Sequence, residues 1–243
     1  MTAALPTLMS CAFGVLVAAA ALADPLLLTA AVALCILTMA MGWGELLGLP
    51  DPAGSGATVL AAGWIALLLA YLRSAQDSPL GALAGLMALC VLAAFGHELL
   101  RKDGRKNLVG SVTGTLSGEA IAVFGAGWVL LSDLPVGSDV VACTAAAAVG
   151  ALAVCSTPLP SPALEGAAVL TGTVLCVLVS LFLLPGATAS LALCGAGVAA
   201  AATGVDRLLR PAVRSSATQL SMAAAPVILA GTAGYVAFRV LVA

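Results

Sequence analysis

Apolar residues run along this chain in blocks of about 20, the length a helix needs to cross ~30 Å of hydrocarbon. The blocks are Leu5–Ala23, Pro25–Leu47, Gly56–Leu72, Pro79–Leu100, Asn107–Leu131, Val136–Cys155, Gly166–Leu184, Thr188–Val205 and Ala217–Val242. Between them stand turn formers such as Asp24-Pro25, Pro50-Asp51-Pro52-Ala53-Gly54, Pro135, Pro158–Pro162 and Pro185-Gly186. No break is long enough to hold a water-soluble domain. In lipid the backbone must close its own hydrogen bonds, so spans of this length are helices. The pattern predicts an all-α, polytopic transmembrane bundle of about eight or nine spans, with residues 1–243 as a single transmembrane domain.

Composition sharpens the solvent and excludes some functions. Charged residues make up 8% of the chain and apolar ones 62%, with mean hydropathy +1.17. A soluble domain carries about 25% charged residues, so lipid is the solvent and the bilayer is the first partner. The expected location is a bacterial inner (cell) membrane, multi-pass. No basic domain or aromatic–basic interleaving is present, which excludes nucleic acid as a partner. A membrane-protein partner or a second copy of the chain remains open. The seven cysteines lie in or at the ends of apolar runs without a CxxC, and the chain has one histidine. That scatter predicts packing cysteines rather than a disulfide framework, and neither a metal site nor a cofactor.

Two features qualify the first span. Ala21-Leu22-Ala23 before Asp24 has the small residues of a signal-peptide cleavage site, so residues 5–23 could be a signal-like segment. No Lys or Arg precedes the apolar run, which favours a retained span. Orientation follows from the basic loops: Arg101, Lys102, Arg105 and Lys106 after the fourth span, and Arg207, Arg210 and Arg214 after the eighth. The loops lie four spans apart, hence on one side, and the positive-inside rule makes that side cytoplasmic. Arg73 and Arg239 run against the rule as single charges. The loops also resemble one another: Leu99-Leu100-Arg101 and Arg105 match Leu208-Leu209-Arg210 and Arg214 at a constant offset. That match is read first as positive-inside bias, and second as a trace of a parallel repeat of the kind some transporters carry.

The fifth span carries the candidate chemistry. Ser111, Thr115 and Glu119 recur at four-residue spacing and form one polar stripe. Glu119 falls about 18 Å along a helix begun near Asn107, at ~1.5 Å per residue, beyond the middle of the ~30 Å core. An ionisable group at that depth is a site hypothesis by default. As a neutral acid it would be a hydrogen-bond donor or a group that takes up and releases a proton. Beside the stripe, Gly110, Gly114 and Gly118 predict a close helix crossing, with the off-row Gly127 less sensitive to substitution. Glu45, His97 and Glu98 are expected near the cytoplasmic interface, with Trp43 as an interfacial anchor. The basic residues Arg101, Lys102, Arg105 and Lys106 are candidates for contact with lipid headgroups or phosphate, beside their topological role. Gln219 and Ser221 open the ninth span and could face Glu119's helix.

The segment from His97 to Ser111, with its basic run leading into a Gly-containing helix, resembles polytopic membrane proteins of the actinobacterial type. The Gly104-Arg105-Lys106-Asn107-Leu108-Val109-Gly110 stretch and the span number also look like phosphatidate cytidylyltransferases. That family's late metal-holding loop is rich in Lys, Asp, His and Gly. The late loop here, Asp206–Ser216, has no Lys, His or Gly, so the likeness does not extend to nucleotidyl transfer. The residues together favour a small transporter or permease, proton-linked through Glu119. The alternatives are an accessory or assembly subunit of a membrane complex and a lipid-modifying enzyme. The enzyme reading is the weakest, since no carboxylate cluster is present at depth.

The topology yields a direct test. Single cysteines at Gly104 and Ser215 should be labelled from the cytoplasm and one at Gly137 from outside. Labelling of Gly104 and Ser215 from opposite sides would refute the span count.

Overall fold

The computed structural model describes residues 4–73, 79–102, 107–157, 160–186, 188–213 and 215–241. Among the described residues there is no strand, and nine helical stretches are long and apolar enough to cross a membrane. They are α1 (Ala4–Ala23), α2 (Pro25–Leu46), α3 (Pro52–Arg73), α4 (Pro79–Leu100), α5 with α6 (Leu108–Phe124 and Ala126–Ser132), α7 (Gly137–Val154), α8 (Ser161–Leu183), α9 (Thr188–Leu209) and α10 (Ser216–Leu241). The chain is therefore an integral, multi-pass membrane protein with an all-α bundle fold. Several helices begin earlier than the apolar blocks suggested. α3 starts at Pro52 and α8 at Ser161, because proline is tolerated in a first turn whose N–H groups lack intrahelical partners. α2 starts in the same way behind Asp24, whose side chain accepts from the Leu26 N–H at 2.7 Å.

Burial sorts the helices into centre and rim. In the α5–α6 span, α7 and α10 about two thirds of the residues are buried (67%), whereas in α4 and α8 only 22% are, which places these two at the rim. α7 packs on α1, α8 and α9, and α10 packs on α9, α2, α1 and α6. α4 stands at the edge against α3 and α5. Small residues permit the closest approaches. Gly42 of α2 lies against the Ala217 backbone of α10, and Gly172 of α8 against the Ala147 carbonyl of α7.

One central span is interrupted, and it meets a continuous helix that contains a proline. The fifth span breaks between Phe124 and Ala126, and α10 contains Pro226. Side-chain hydrogen bonds cross the interface in both directions. Thr232 Oγ1 donates to the Phe124 carbonyl at 2.6 Å, and Trp128 Nε1 donates to the Val227 carbonyl at 2.9 Å. A donor brought by a neighbouring helix to the Phe124 carbonyl makes the interrupted span tolerable in lipid.

The helix boundaries also repeat. α3 and α8 start 109 positions apart (52 to 161), and so do α4 and α9 (79 to 188). The ends of α4 and α9 keep the same offset (100 to 209), as do Arg101 and Arg210, Asp24 and Asp133, and Gly63 and Gly172. Spacing kept through helices, turns and the arginines exceeds what positive-inside bias produces. It gives weight to the parallel-repeat reading, in which α5–α6 and α10 occupy corresponding places. Arg214 lies outside the described residues.

The glycines reverse one expected order. A Cβ on Gly114 would meet Leu49 Cδ2, the mobile end of a side chain, at 2.6 Å. On Gly127 it would meet the backbone nitrogen of Thr232 at 2.4 Å. Side-chain ends can yield and helix backbone cannot, so Gly127 is the tighter position despite lying off the glycine row. In detergent, Gly127→Leu should lower the melting temperature by several degrees more than Gly114→Leu. An equal loss in the two variants would show that the α6–α10 contact is not the tight one.

Candidate functional site

Asn107 starts α5 in the left-handed conformation, at φ 54°, which Asn tolerates better than most residues. The helix then runs inward with Ser111, Thr115 and Glu119 one turn apart, all buried. The stripe faces the neighbouring helices. Ser111 Oγ donates to Glu98 Oε1 of α4 at 2.5 Å. Thr115 Oγ1 donates to Ser55 Oγ of α3 at 3.1 Å. Glu119, 1% exposed, has no hydrogen-bond partner among the described residues for either carboxyl oxygen. Thr58 of α3 stands beside it, but the Thr58 hydroxyl donates to the Ser55 carbonyl at 2.9 Å. The result is a polar file between α3, α4 and α5, ending on an unbonded acid.

The outer mouth of the file is a compact charge cluster. Glu98, 2% exposed, pairs with Arg101 of the next turn and takes the Ser111 hydroxyl on its other oxygen. His97 Nδ1 lies 3.7 Å from Glu98 Oε1, and His97 Nε2 lies 3.0 Å from Asp51 Oδ2. Asp51 in turn caps α3, accepting from the Gly54 N–H at 3.0 Å. The pair fits because residue 54 has no side chain: a Cβ there would lie 2.2 Å from His97 Nε2. Asp51 thus ties the end of α4 to the start of α3. The Gly54 N–H and the His97 ring hold its carboxyl below the usual carboxylate range.

The structure redistributes several sequence-predicted residues. Ser111, Thr115 and Glu119 share one file, as their spacing suggested. Arg101 is committed to Glu98, while Lys102 is exposed at the end of α4. Arg105 and Lys106 lie outside the described residues. Gly114 and Gly118 receive side chains rather than a helix backbone. Trp43 of α2 fills the space over Gly118 and donates to the Gly114 carbonyl at 2.9 Å. Gly110 faces its own cap, Asn107. Trp43 is therefore a core residue at 1% exposure and not an interfacial anchor, because its N–H has a buried acceptor to reach. Ser221 of α10 donates to the Met39 carbonyl of α2 at 2.8 Å. Ser55, Asp51 and the depth of Glu98 escaped the sequence reading. The Asp-Pro-x-Gly pattern at residues 51–54 was the available signal for Asp51.

No group of three or more His, Cys, Asp or Glu side chains able to hold a metal ion occurs among the described residues. Comparison with protein-family models, curated proteins and solved structures gives no match. The fold and site define a class: a polytopic helical membrane protein with a buried polar file that ends on an acid. The likenesses to actinobacterial-type proteins and to phosphatidate cytidylyltransferases gain no support from family or homologue.

The Asp51 clamp has a pH signature. A carboxyl held below its unfolded value stabilises the fold above about pH 4, and that contribution is lost as pH falls through the folded value. Wild type should therefore lose melting temperature on acidification more steeply than Asp51→Asn, with the two curves converging in acid. Parallel curves would show that the Asp51 carboxylate does not stabilise this end.

Proposed function

We propose that this protein is a small proton-linked permease whose working acid is Glu119. The observation that carries this reading is the buried, unbonded carboxyl at the inner end of the hydroxyl file. A charged group without a partner is costly in hydrocarbon, and such groups persist mainly where an ion or substrate path uses them. The interrupted α5–α6 span and the proline-containing α10 support the same reading. A broken helix in the centre of the bundle is a common setting for a transport site. In this mechanism Glu119 exchanges its proton through the Thr115–Ser111–Glu98 end of the file. The charge cluster at the mouth fixes the ends of α3 and α4 around that path.

A second reading, an accessory subunit, has one observation in its favour. Gly81, Gly85 and Gly96 fall on one face of α4, and at Gly85 and Gly96 the space beside the backbone is open. A partner helix could seat there.

Glu119→Gln keeps size and hydrogen bonding but cannot release a proton. It should express and melt like wild type yet fail to complement a deletion strain, while Glu119→Leu should fail as well. Full complementation by Gln, with loss of complementation by Gly85→Leu, would refute the proton role and favour the subunit reading.

A further inference from the structure

Away from the file, two cavities meet at Arg207 on the side of the bundle that carries Arg101. The first, about 540 Å³, is lined by Cys155, Ser156, Thr157, Asp206, Arg207 and Arg210, among others. The second, about 470 Å³, runs along the outer groove between α8 and α9, past Val169, Ala200, Thr203, Gly204 and Leu208. The first lies at the helix ends; the second carries Glu165 and Arg207 at one end and the apolar side chains of Val169, Ala200 and Leu208 along its length. Arg207 lines both.

We infer that these joined cavities hold one acidic phospholipid, with its phosphate at Arg207 and Arg210 and an acyl chain in the α8–α9 groove. The arginines are set for this. Asp206, whose side chain is 2% exposed, accepts Arg210 Nε at 3.1 Å and Nη2 at 2.7 Å. That bond aims the guanidinium while leaving its side chain 30% exposed toward the cavity. Arg207 pairs with Glu165 across the groove, but Glu165 is 59% exposed. An ion pair so exposed is weak and yields readily to a phosphate, which takes two guanidinium N–H groups at once. The Ser156 and Thr157 hydroxyls line the same wall. Basic pockets between helix ends at the membrane face are the usual setting for acidic headgroups. The groove explains why a lipid fits better than a free anion. Nothing stands within 4 Å of where a Cβ on Gly204 would be, so the groove floor there is open.

The test uses the full chain in neutral detergent, titrated with short-chain phosphatidylglycerol, short-chain phosphatidylcholine or inorganic phosphate while the melting temperature is followed. Phosphatidylglycerol should raise the melting temperature at concentrations where phosphatidylcholine does not. Arg207→Gln/Arg210→Gln should need about tenfold more of it, as expected for lost charge-assisted bonds. Arg210→Gln strands the buried Asp206, so Arg207→Gln alone decides the matter should the double variant fail to fold. Gly204→Leu fills the open floor and should weaken the lipid effect while leaving any phosphate effect unchanged. Equal responses to the two lipids, or a wild-type response from Arg207→Gln, would overturn the site. A phosphate effect as large as that of phosphatidylglycerol, unaltered by Gly204→Leu, would overturn the lipid and reassign the arginines to a free anion.

Discussion

A polar group inside hydrocarbon has only the protein to bond to, and that constraint shapes this bundle throughout. Serine and threonine hydroxyls mostly return their protons to carbonyls of their own helix, as Thr144 does to Val140 and Thr203 to Ala199. The buried tryptophans instead bond across helices. Trp43 joins α2 to α5, and Trp128 joins α6 to α10. The same requirement explains how the fifth span can break in mid-membrane, since Thr232 of α10 supplies a donor to the Phe124 carbonyl. Against this background stand the two buried carboxyl oxygens of Glu119, which have no hydrogen-bond partner among the described residues, and the functional proposal rests on them.

The charge cluster at the ends of α3 and α4 obeys the same rule at the membrane edge. Glu98 is nearly fully buried and is held by Arg101 and Ser111. Breaking a buried pair of this kind by removing one partner typically costs about 3–5 kcal/mol, so Arg101 has a structural obligation. That obligation separates it from Arg207, whose partner Glu165 is exposed. The two basic ends of the molecule thus differ in kind. One closes the mouth of the file, and the other borders cavities open to the lipid.

The repeat links the two ends. An offset of 109 residues carries α3 onto α8, α4 onto α9 and Arg101 onto Arg210. At that offset His97 falls on Asp206, and Glu98 on Arg207. An arginine bonded to a buried acid survives at both ends, through Glu98 in one half and Asp206 in the other. Four spans separate the two arginines, so both lie on one side of the bundle.

The sequence by itself determined the solvent, the spans and the stripe on the fifth helix. Those follow from composition and from helical periodicity, which are local. Block length predicted the helices to within about a turn, and four-residue spacing aligned Ser111, Thr115 and Glu119. Tertiary structure alone decided what the stripe faces. Ser55, which accepts from Thr115, lies on a helix 60 residues earlier, and no periodicity relates the two. It also decided that Glu98 and Trp43 are buried, because depth at a helix end depends on which neighbours rise around it. The glycine row misled for the same reason. A small residue creates a gap, but only packing determines whether a backbone, as at Gly127, or a side chain, as at Gly118, fills it.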